Sequence, residues 1–402
     1  MKRETHLQPA DVHGLGRLAI DATLGVTNLV EALHHSIARV APPLGKPGSG
    51  RTRGITGFVY TAVRGVTGFV GQGIDAGLAR LVPMLGARAP SAERDAMVSA
   101  LNGVLGDHLE ATRNPLAIAM GLRRSGRALV IERTALAAAL PGATPRIAVM
   151  VHGLCMNDRQ WKRGGHDHGA LLARAAGCTP VYLRYNSGLH VSTNGRALAA
   201  MIESLVDAWP VPVRSVVLVG HSMGGLVSRS ALHYAGASGL GWPAKLEAMF
   251  FLGTPHQGAP LERGGNWVNV LLGASPYTAP FARLARIRSA GITDLRHGAV
   301  RDEEWTGRDR FAQGPTPKDV LPIPRGVRAF SLAATTAASA EGARVPGDGL
   351  VPLASALGRH RTKARHLGIP KSRQWVGTRL NHLDLLSSRD AGARMVHWLT
   401  HP

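Results

Sequence analysis

The sequence predicts an α/β fold, a mainly parallel sheet with helices on both faces, behind a helical N-terminal extension. Short apolar runs of buried-strand type recur at Ile147–Val151, Pro180–Leu183, Val216–Val219, Ala248–Leu252 and Val327–Leu332. Helical patterns such as Ala197–Trp209 and Leu226–Tyr234 lie between them, and this alternation marks βαβ units. The first hundred or so residues are helical and rich in breakers, with no strand pattern.

In the extension, Leu18 to Val40 carries apolar residues at helical spacing, and the breaker-rich Ala41–Gly50 follows. Arg53-Gly54-Ile55-Thr56-Gly57-Phe58-Val59 then returns as Arg64-Gly65-Val66-Thr67-Gly68-Phe69-Val70, eleven residues on. Charges at Arg64, Asp75 and Arg80 leave no run near the ~18 apolar residues a membrane span needs. At ~100° per residue Ile55, Phe58, Val59, Val63, Val66, Phe69, Val70 and Ile74 form one stripe. Its four flanking glycines each cost ~1 kcal/mol of helix stability relative to alanine. Such a helix needs a partner, either the following domain, as a cap, or a lipid interface. Ser91 is the expected N-cap of a further helix with Met97, Leu101, Val104, Leu105 and Leu109 inward, ended by Asn114-Pro115.

Residues 1–112 are therefore expected to form the extension and 113–402 the α/β domain. A hairpin opens that domain, with strands Leu116–Leu122 and Ala128–Ile131 around Arg123–Arg127. The interval from Gly258 to Arg325 breaks the strand–helix rhythm and is expected to be an insertion over the sheet's carboxyl edge. A last strand near Gln374–Val376 and a terminal helix Ala391–Leu399 complete the expected order.

The formal net charge of +21 raises nucleic acid and anionic membranes as partners. Only seven of the 47 basic residues are lysine, and the densest run, Arg359 to His366, has no interleaved aromatics. Stacking on single strands is thus unsupported, and nucleic-acid binding is not expected. Two cysteines, Cys155 and Cys178, give neither a disulfide framework nor a zinc spacing, so no metal or cofactor is expected. The opening MKRETHLQPADVHG has no apolar secretory core, and a cytoplasmic setting is the expectation.

The most informative stretch is Val216-Val217-Leu218-Val219-Gly220-His221-Ser222-Met223-Gly224-Gly225-Leu226. A buried strand runs into Gly-x-Ser-x-Gly and a helix begins at once. A nucleophile on such a strained corner needs small residues two before and two after it, and it stands at a helix N-terminus. Acyl transfer also requires oxyanion donors. Ile147–Val151 ends in His152-Gly153-Leu154, placed to supply one amide from Leu154 while Met223 supplies the other. His382, after the last strand, is the candidate base, since His397 and His401 fall in or beyond the terminal helix. Asp348, in Pro346-Gly347-Asp348-Gly349-Leu350-Val351, is the candidate acid. Asp319 and Asp294 are rivals inside the expected insertion, and Asp384 reads as a cap. His166-Asp167-His168 reads as polar surface rather than metal ligands. Trp161 and Tyr185 line an acyl groove or pack in the core.

With Gly253-Thr254-Pro255-His256-Gln257-Gly258 added, these five motifs resemble an α/β-hydrolase, and within it bacterial triacylglycerol lipases and glycosylphosphatidylinositol (GPI) inositol-deacylase-like esterases. The resemblance runs from about Pro115 to the C-terminus and omits the first hundred residues. It implies carboxylic ester hydrolysis through an acyl-serine, with Ser222 as nucleophile, His382 as base, Asp348 as its orienter, and apolar acyl esters as substrates. It also implies that His152, Gly153, Thr254 and Pro255 border the substrate. A rival reading is a lipid- or granule-surface binder with a vestigial hydrolase fold, suggested by the amphipathic start and the positive charge.

Overall fold

The computed structural model describes residues 9–39, 64, 91–259, 289–307, 321–324, 326–341 and 345–401. The eleven-residue repeat from Arg53 to Asp75, apart from Arg64, lies outside the described residues, as do 260–288 and 308–320 of the expected insertion. The chain divides into two compact units, one of Met1–Arg94 with Leu109–Ala117, the other of Asp95–His108 with Ile118–Pro402.

In the first unit a helix spans Pro9–Arg39, starting nine residues before the periodicity suggested. Its early turns hold by polar contacts that an apolar count passes over. Asp11 is buried and takes both ends of the Arg94 guanidinium at 2.7 Å, and Asn114 Nδ2 donates to Gly14 O at 3.0 Å. Ser91 accepts from Arg94 N at 3.1 Å, the N-cap bond expected for the helix Ala92–Ala111.

The second unit carries an eight-stranded sheet of β1 (Gly121–Arg124), β2 (Arg127–Ala128), β3 (Arg146–Val151), β4 (Cys178–Arg184), β5 (Ser215–His221), β6 (Leu246–Leu252), β7 (Arg328–Thr335) and β8 (Gln374–Thr378). The order is β2-β1-β4-β3-β5-β6-β7-β8, with β1 antiparallel to both neighbours and every pair from β4 to β8 parallel. This is the α/β-hydrolase arrangement expected. The strands β3, β5 and β6 are apolar on both faces because both faces are covered, and Ile147–Val151, Val216–Val219 and Ala248–Leu252 are wholly buried. Helices His168–Ala176, Val191–Ala208, Met223–Ala237 and Arg389–Thr400 fill the crossovers and the C-terminal end.

The hairpin differs from expectation. Its turn is the two residues Ser125 and Gly126, both at positive φ (51° and 77°), as a tight primed turn requires. Arg123, Arg124 and Arg127, which read as loop by charge, therefore belong to the ladder.

The helix Ala92–Ala111 also departs from its apolar pattern. Leu101, Val104 and Leu109 are buried, but so are Asp95, Ser99 and Asn102. Asp95 takes a bidentate bond from Arg184 at the end of β4, 2.9 Å at each oxygen, and a third from Arg159 at 2.7 Å. Arg184 Nε also donates to the buried Asp158 at 2.5 Å. Burial alone would raise the Asp95 pKa, but the bonds and charges of Arg184 and Arg159 outweigh it and hold the carboxyl below its ordinary value. Replacing Arg184 with methionine takes its guanidinium from the buried Asp158 and the bidentate partner from Asp95. We expect it to cost about 3–5 kcal/mol, read from urea unfolding; a loss under about 1 kcal/mol would show that the ions are effectively solvated.

Candidate active site

Ser222 stands at the corner between β5 and the helix Met223–Ala237, with φ 53° and ψ −123°. A non-glycine residue held there is strained, and the surroundings enforce it. Ser222 N donates to Leu252 O on β6 at 2.8 Å, and Gly225 N donates to Ser222 O at 3.1 Å. A Cβ on Gly220 would come within 2.5 Å of Gly225 N, and one on Gly224 within 2.1 Å of Val151 O. The close approach of β5, the helix start and the end of β3 is what demands glycine on each side of the serine.

Two other loops meet this corner. Beyond β3, Gly153 lies so close that a Cβ on it would sit 3.1 Å from Ser222 Cβ. Beyond β6, Gly253 lies against the His382 imidazole, 3.1 Å from Cε1 and Nδ1 by the same construction. His382 Nδ1 is 2.7 Å from Asp348 Oδ2, and His382 N donates to Asp348 O at 3.0 Å. The second carboxylate oxygen of Asp348 accepts from Leu350 N (3.0 Å) and Val351 N (2.8 Å). Both side chains are buried, and since a carboxylate oxygen can only accept, Nδ1 is the nitrogen that donates to it. Among the described residues, neither His382 Nε2 nor Ser222 Oγ has a hydrogen-bond partner.

The His152-Gly153-Leu154 turn is fixed by a bond within itself. His152 Nδ1 lies 2.8 Å from Gly153 O; a carbonyl can only accept, so Nδ1 carries the proton. Gly153 O also accepts from Met156 N at 3.3 Å. The peptide is planar and trans, so holding Gly153 O on one side turns Leu154 N–H to the other. The amides of Leu154 and Met223 donate to none of the described residues. His152 is itself held by Tyr185, whose ring stacks on it at 4.3 Å and whose hydroxyl donates to His152 O at 2.8 Å. Tyr185 is thus packed beneath the turn. We expect Tyr185→Phe, which leaves a buried carbonyl unbonded, to lose about 1–3 kcal/mol in thermal unfolding; an unchanged melting temperature would show that the bond contributes nothing.

His221 does more than continue the backbone of the corner. Its ring lies 4.7 Å from that of His382, and its Nε2 donates to His382 O at 3.2 Å, so it braces the loop that carries His382. The residue spacing gave no hint of this, because the pair is 161 positions apart. Trp161 is fully buried, with edge contacts to His168 and His221. His166 Nε2 and His168 Nδ1 bond to each other at 2.9 Å, and His168 Nε2 donates to Leu385 O. Asp167 caps its helix through Ala170 N and receives the Tyr182 hydroxyl. Thr254 is fully buried with its side chain against Gly225, where a Cβ would come within 2.0 Å of Oγ1, and Pro255 is buried too. The rival Asp294 bonds His190 at 3.0 Å and Val191 N at 2.8 Å, on the N-terminal turn of the helix Val191–Ala208.

Residues 144–321 match the family model described as PGAP1-like alpha/beta domain. The match takes in His152, Gly153, Leu154 and Ser222 but stops before Asp348 and His382. Among solved structures, an esterase from Pyrococcus furiosus is similar at 13% identity and TM-score 0.38, over 64% of this chain and 82% of that one. A lipase-esterase related protein from Clostridium acetobutylicum is similar at 12% identity and TM-score 0.33, over 64% and 95%. A hormone-sensitive lipase from a metagenome library is similar at 14% identity and TM-score 0.36, over 65% and 77%. No curated protein matches the chain. Among the described residues, no helix is long and apolar enough to cross a membrane.

Proposed function

We propose that the protein is a serine carboxylic-ester hydrolase acting on apolar acyl esters. The observation that carries this reading is Ser222 itself, a buried hydroxyl held at positive φ between two obligatory glycines at a helix N-terminus. The hydrogen-bonded pair of His382 and Asp348, on the loop against Gly253, supports it. So does the PGAP1-like alpha/beta domain match around Ser222.

In this reading His382 Nε2 takes the Ser222 proton as Oγ attacks the ester carbonyl carbon. The carbonyl oxygen, now an anion, is received by Leu154 N–H and Met223 N–H. The imidazolium, stabilised by Asp348, gives its proton to the departing alkoxide, leaving acyl-Ser222. Water then repeats the sequence, losing its proton to Nε2 and releasing the acid. His152, Gly153, Thr254 and Pro255 shape the surround, His152 and Thr254 by holding backbone. The test is labelling of the intact chain by a fluorophosphonate probe, with the adduct mapped by mass spectrometry. Folded protein that stays unlabelled, or that is labelled elsewhere than Ser222, would rule the reading out.

A further inference from the structure

A cavity of about 560 Å³ opens in the second unit between the β1–β2 turn, the segment from Asp158 to Asp167 and the helix His168–Ala176. None of the residues at the Ser222 corner lines it. Charge dominates its wall, where four cations, Arg124, Arg159, Lys162 and Arg174, stand with two carboxylates, Asp158 and Asp167. Both carboxylates are already engaged. Asp158 accepts from Arg184 Nε, and Asp167 from the Tyr182 hydroxyl and from Ala170 N. Lys162 and Arg174 are exposed, and among the described residues no carboxylate pairs with either. His166, whose pKa is lowered by burial, adds no charge to the wall at neutral pH.

The cations are gathered rather than scattered. Arg159 and Lys162 stand three residues apart on a 3₁₀ turn, where such positions lie one above the other, and Lys162 N donates to Arg159 O at 3.1 Å. Arg159 gives its Nε to Asp95, but its two Nη nitrogens, which share one edge of the guanidinium, are open to solvent and bond no described residue. They lie against the hairpin tip, where a Cβ on Gly126 would come within 2.9 Å of each. Arg124 is held to Pro180 O at 2.6 Å on one flank, and Arg174 stands in the last turn of its helix on the other. We propose that this cavity binds a phosphate monoester as its dianion. Two negative charges on one tetrahedral centre match the adjacent Arg159 and Lys162, and both side chains are strong donors to phosphate oxygens. Arg124 and Arg174 complete the neutralisation from the flanks. The volume leaves room beyond the phosphate, and small or polar wall residues such as Ser125, Gly165 and Ala170 suit a polar remainder. A free phosphorylated metabolite and the headgroup of an anionic lipid share this chemistry. The proposal does not rest on the esterase reading.

The test is isothermal titration of the full chain with glycerol 3-phosphate, succinate (two charges held apart) and acetate. Glycerol 3-phosphate should bind the wild type at least about tenfold tighter than either of the others. Lys162→Gln combined with Arg174→Gln should weaken it about tenfold or more. Arg361→Gln combined with Lys371→Gln, the same loss of charge at exposed sites elsewhere, should change little. Ser125→Asp sets a carboxylate at the cavity and should weaken binding as much, whereas the neutral Ser125→Asn should bind as the wild type does. Both replacements suit the positive φ of that turn. Sedimentation of the Ser222→Ala chain with phosphatidylcholine vesicles, with and without phosphatidic acid, identifies the source. Sedimentation that needs phosphatidic acid and is lost with Lys162 and Arg174 marks a headgroup; binding of glycerol 3-phosphate alone marks a free ligand. No binding of either probe, equal binding of succinate, equal weakening by the two double replacements, or unchanged binding in Ser125→Asp would each overturn the proposal. So would loss of glycerol 3-phosphate binding in protein blocked at Ser222, which would put the phosphate at that corner.

Discussion

Ser222→Ala is expected to abolish fluorophosphonate labelling and to lower kcat on p-nitrophenyl acyl esters by about 10⁴–10⁶-fold. The remaining rate would come from the backbone donors and from binding. The structure adds a stability control. At φ 53° the serine occupies a region that any side chain enters at a cost, so alanine inherits the strain and glycine releases it. Ser222→Gly should therefore gain about 1 kcal/mol in urea unfolding while being as inactive as Ser222→Ala. The hydroxyl has no hydrogen-bond partner to lose, so neither change should destabilise the fold through a broken bond. An active Ser222→Ala protein would remove the nucleophile from the proposed mechanism. An inactive but strongly destabilised Ser222→Gly would show that the strain is not where the backbone places it.

The second large effect is on acid stability. His152, His168, His221 and His256 are almost completely buried. Burial pushes His152 down to about 3 and His168 to about 4, and it pushes His221 and His256 well below their ordinary value of 6.5. The unfolded chain binds protons at these four positions near pH 6.5, and the folded chain refuses them until the pH is far lower. Stability therefore rises with pH across the window from about 4 to 6.5, and is lost as the pH falls through it. At pH 5.5, one unit below the unfolded pKa, each such histidine accounts for on the order of 1 kcal/mol and the four together for several, a sizeable share of the stability of many domains. Asp294 works in the opposite sense, because burial raises its carboxyl and folding takes up a proton there. Urea unfolding at pH 7.5, 6.5 and 5.5 should show the midpoint falling steeply. His256→Leu should flatten the slope by about one proton, since neither ring nitrogen has a bond to lose. A stability that is level from pH 7.5 to 5.5 would contradict the burial of these rings.

Much of this architecture could be read from local pattern. The apolar runs that became β3, β4, β5, β6 and β7 lie where alternation with helices put them, because a strand covered on both faces leaves no polar positions to confuse the reading. Gly220, Ser222 and Gly224 could be read for a related reason, as a corner this tight tolerates little else. Asp348 and His382, singled out by order along the chain, are hydrogen-bonded to each other. Less legible were the features made by partners distant in sequence. Asp95 and Arg184 stand 89 positions apart, and a buried aspartate in a helix looks the same as an exposed one until its arginine is known. The brace from His221 to the His382 carbonyl and the seat of Thr254 on Gly225 are of this kind too. The β1–β2 turn was misplaced because three arginines read as loop, whereas positive φ at Ser125 and Gly126 sets the register.

The placement of Ser222 and His382 on the sheet also sets a timetable for synthesis. The serine corner hangs from β5, which pairs with β3 and β6, whereas the imidazole follows β8, the edge strand, which pairs with β7. The strands that border the corner have all been made once β6 has left the ribosome, but the imidazole arrives only with the last strand. Until then the nascent protein carries Ser222 without the His382 imidazole that the proposed mechanism requires. The same order makes the β7–β8 edge the place where a single clip, after β7, would separate Ser222 from the histidine that the proposed mechanism pairs with it.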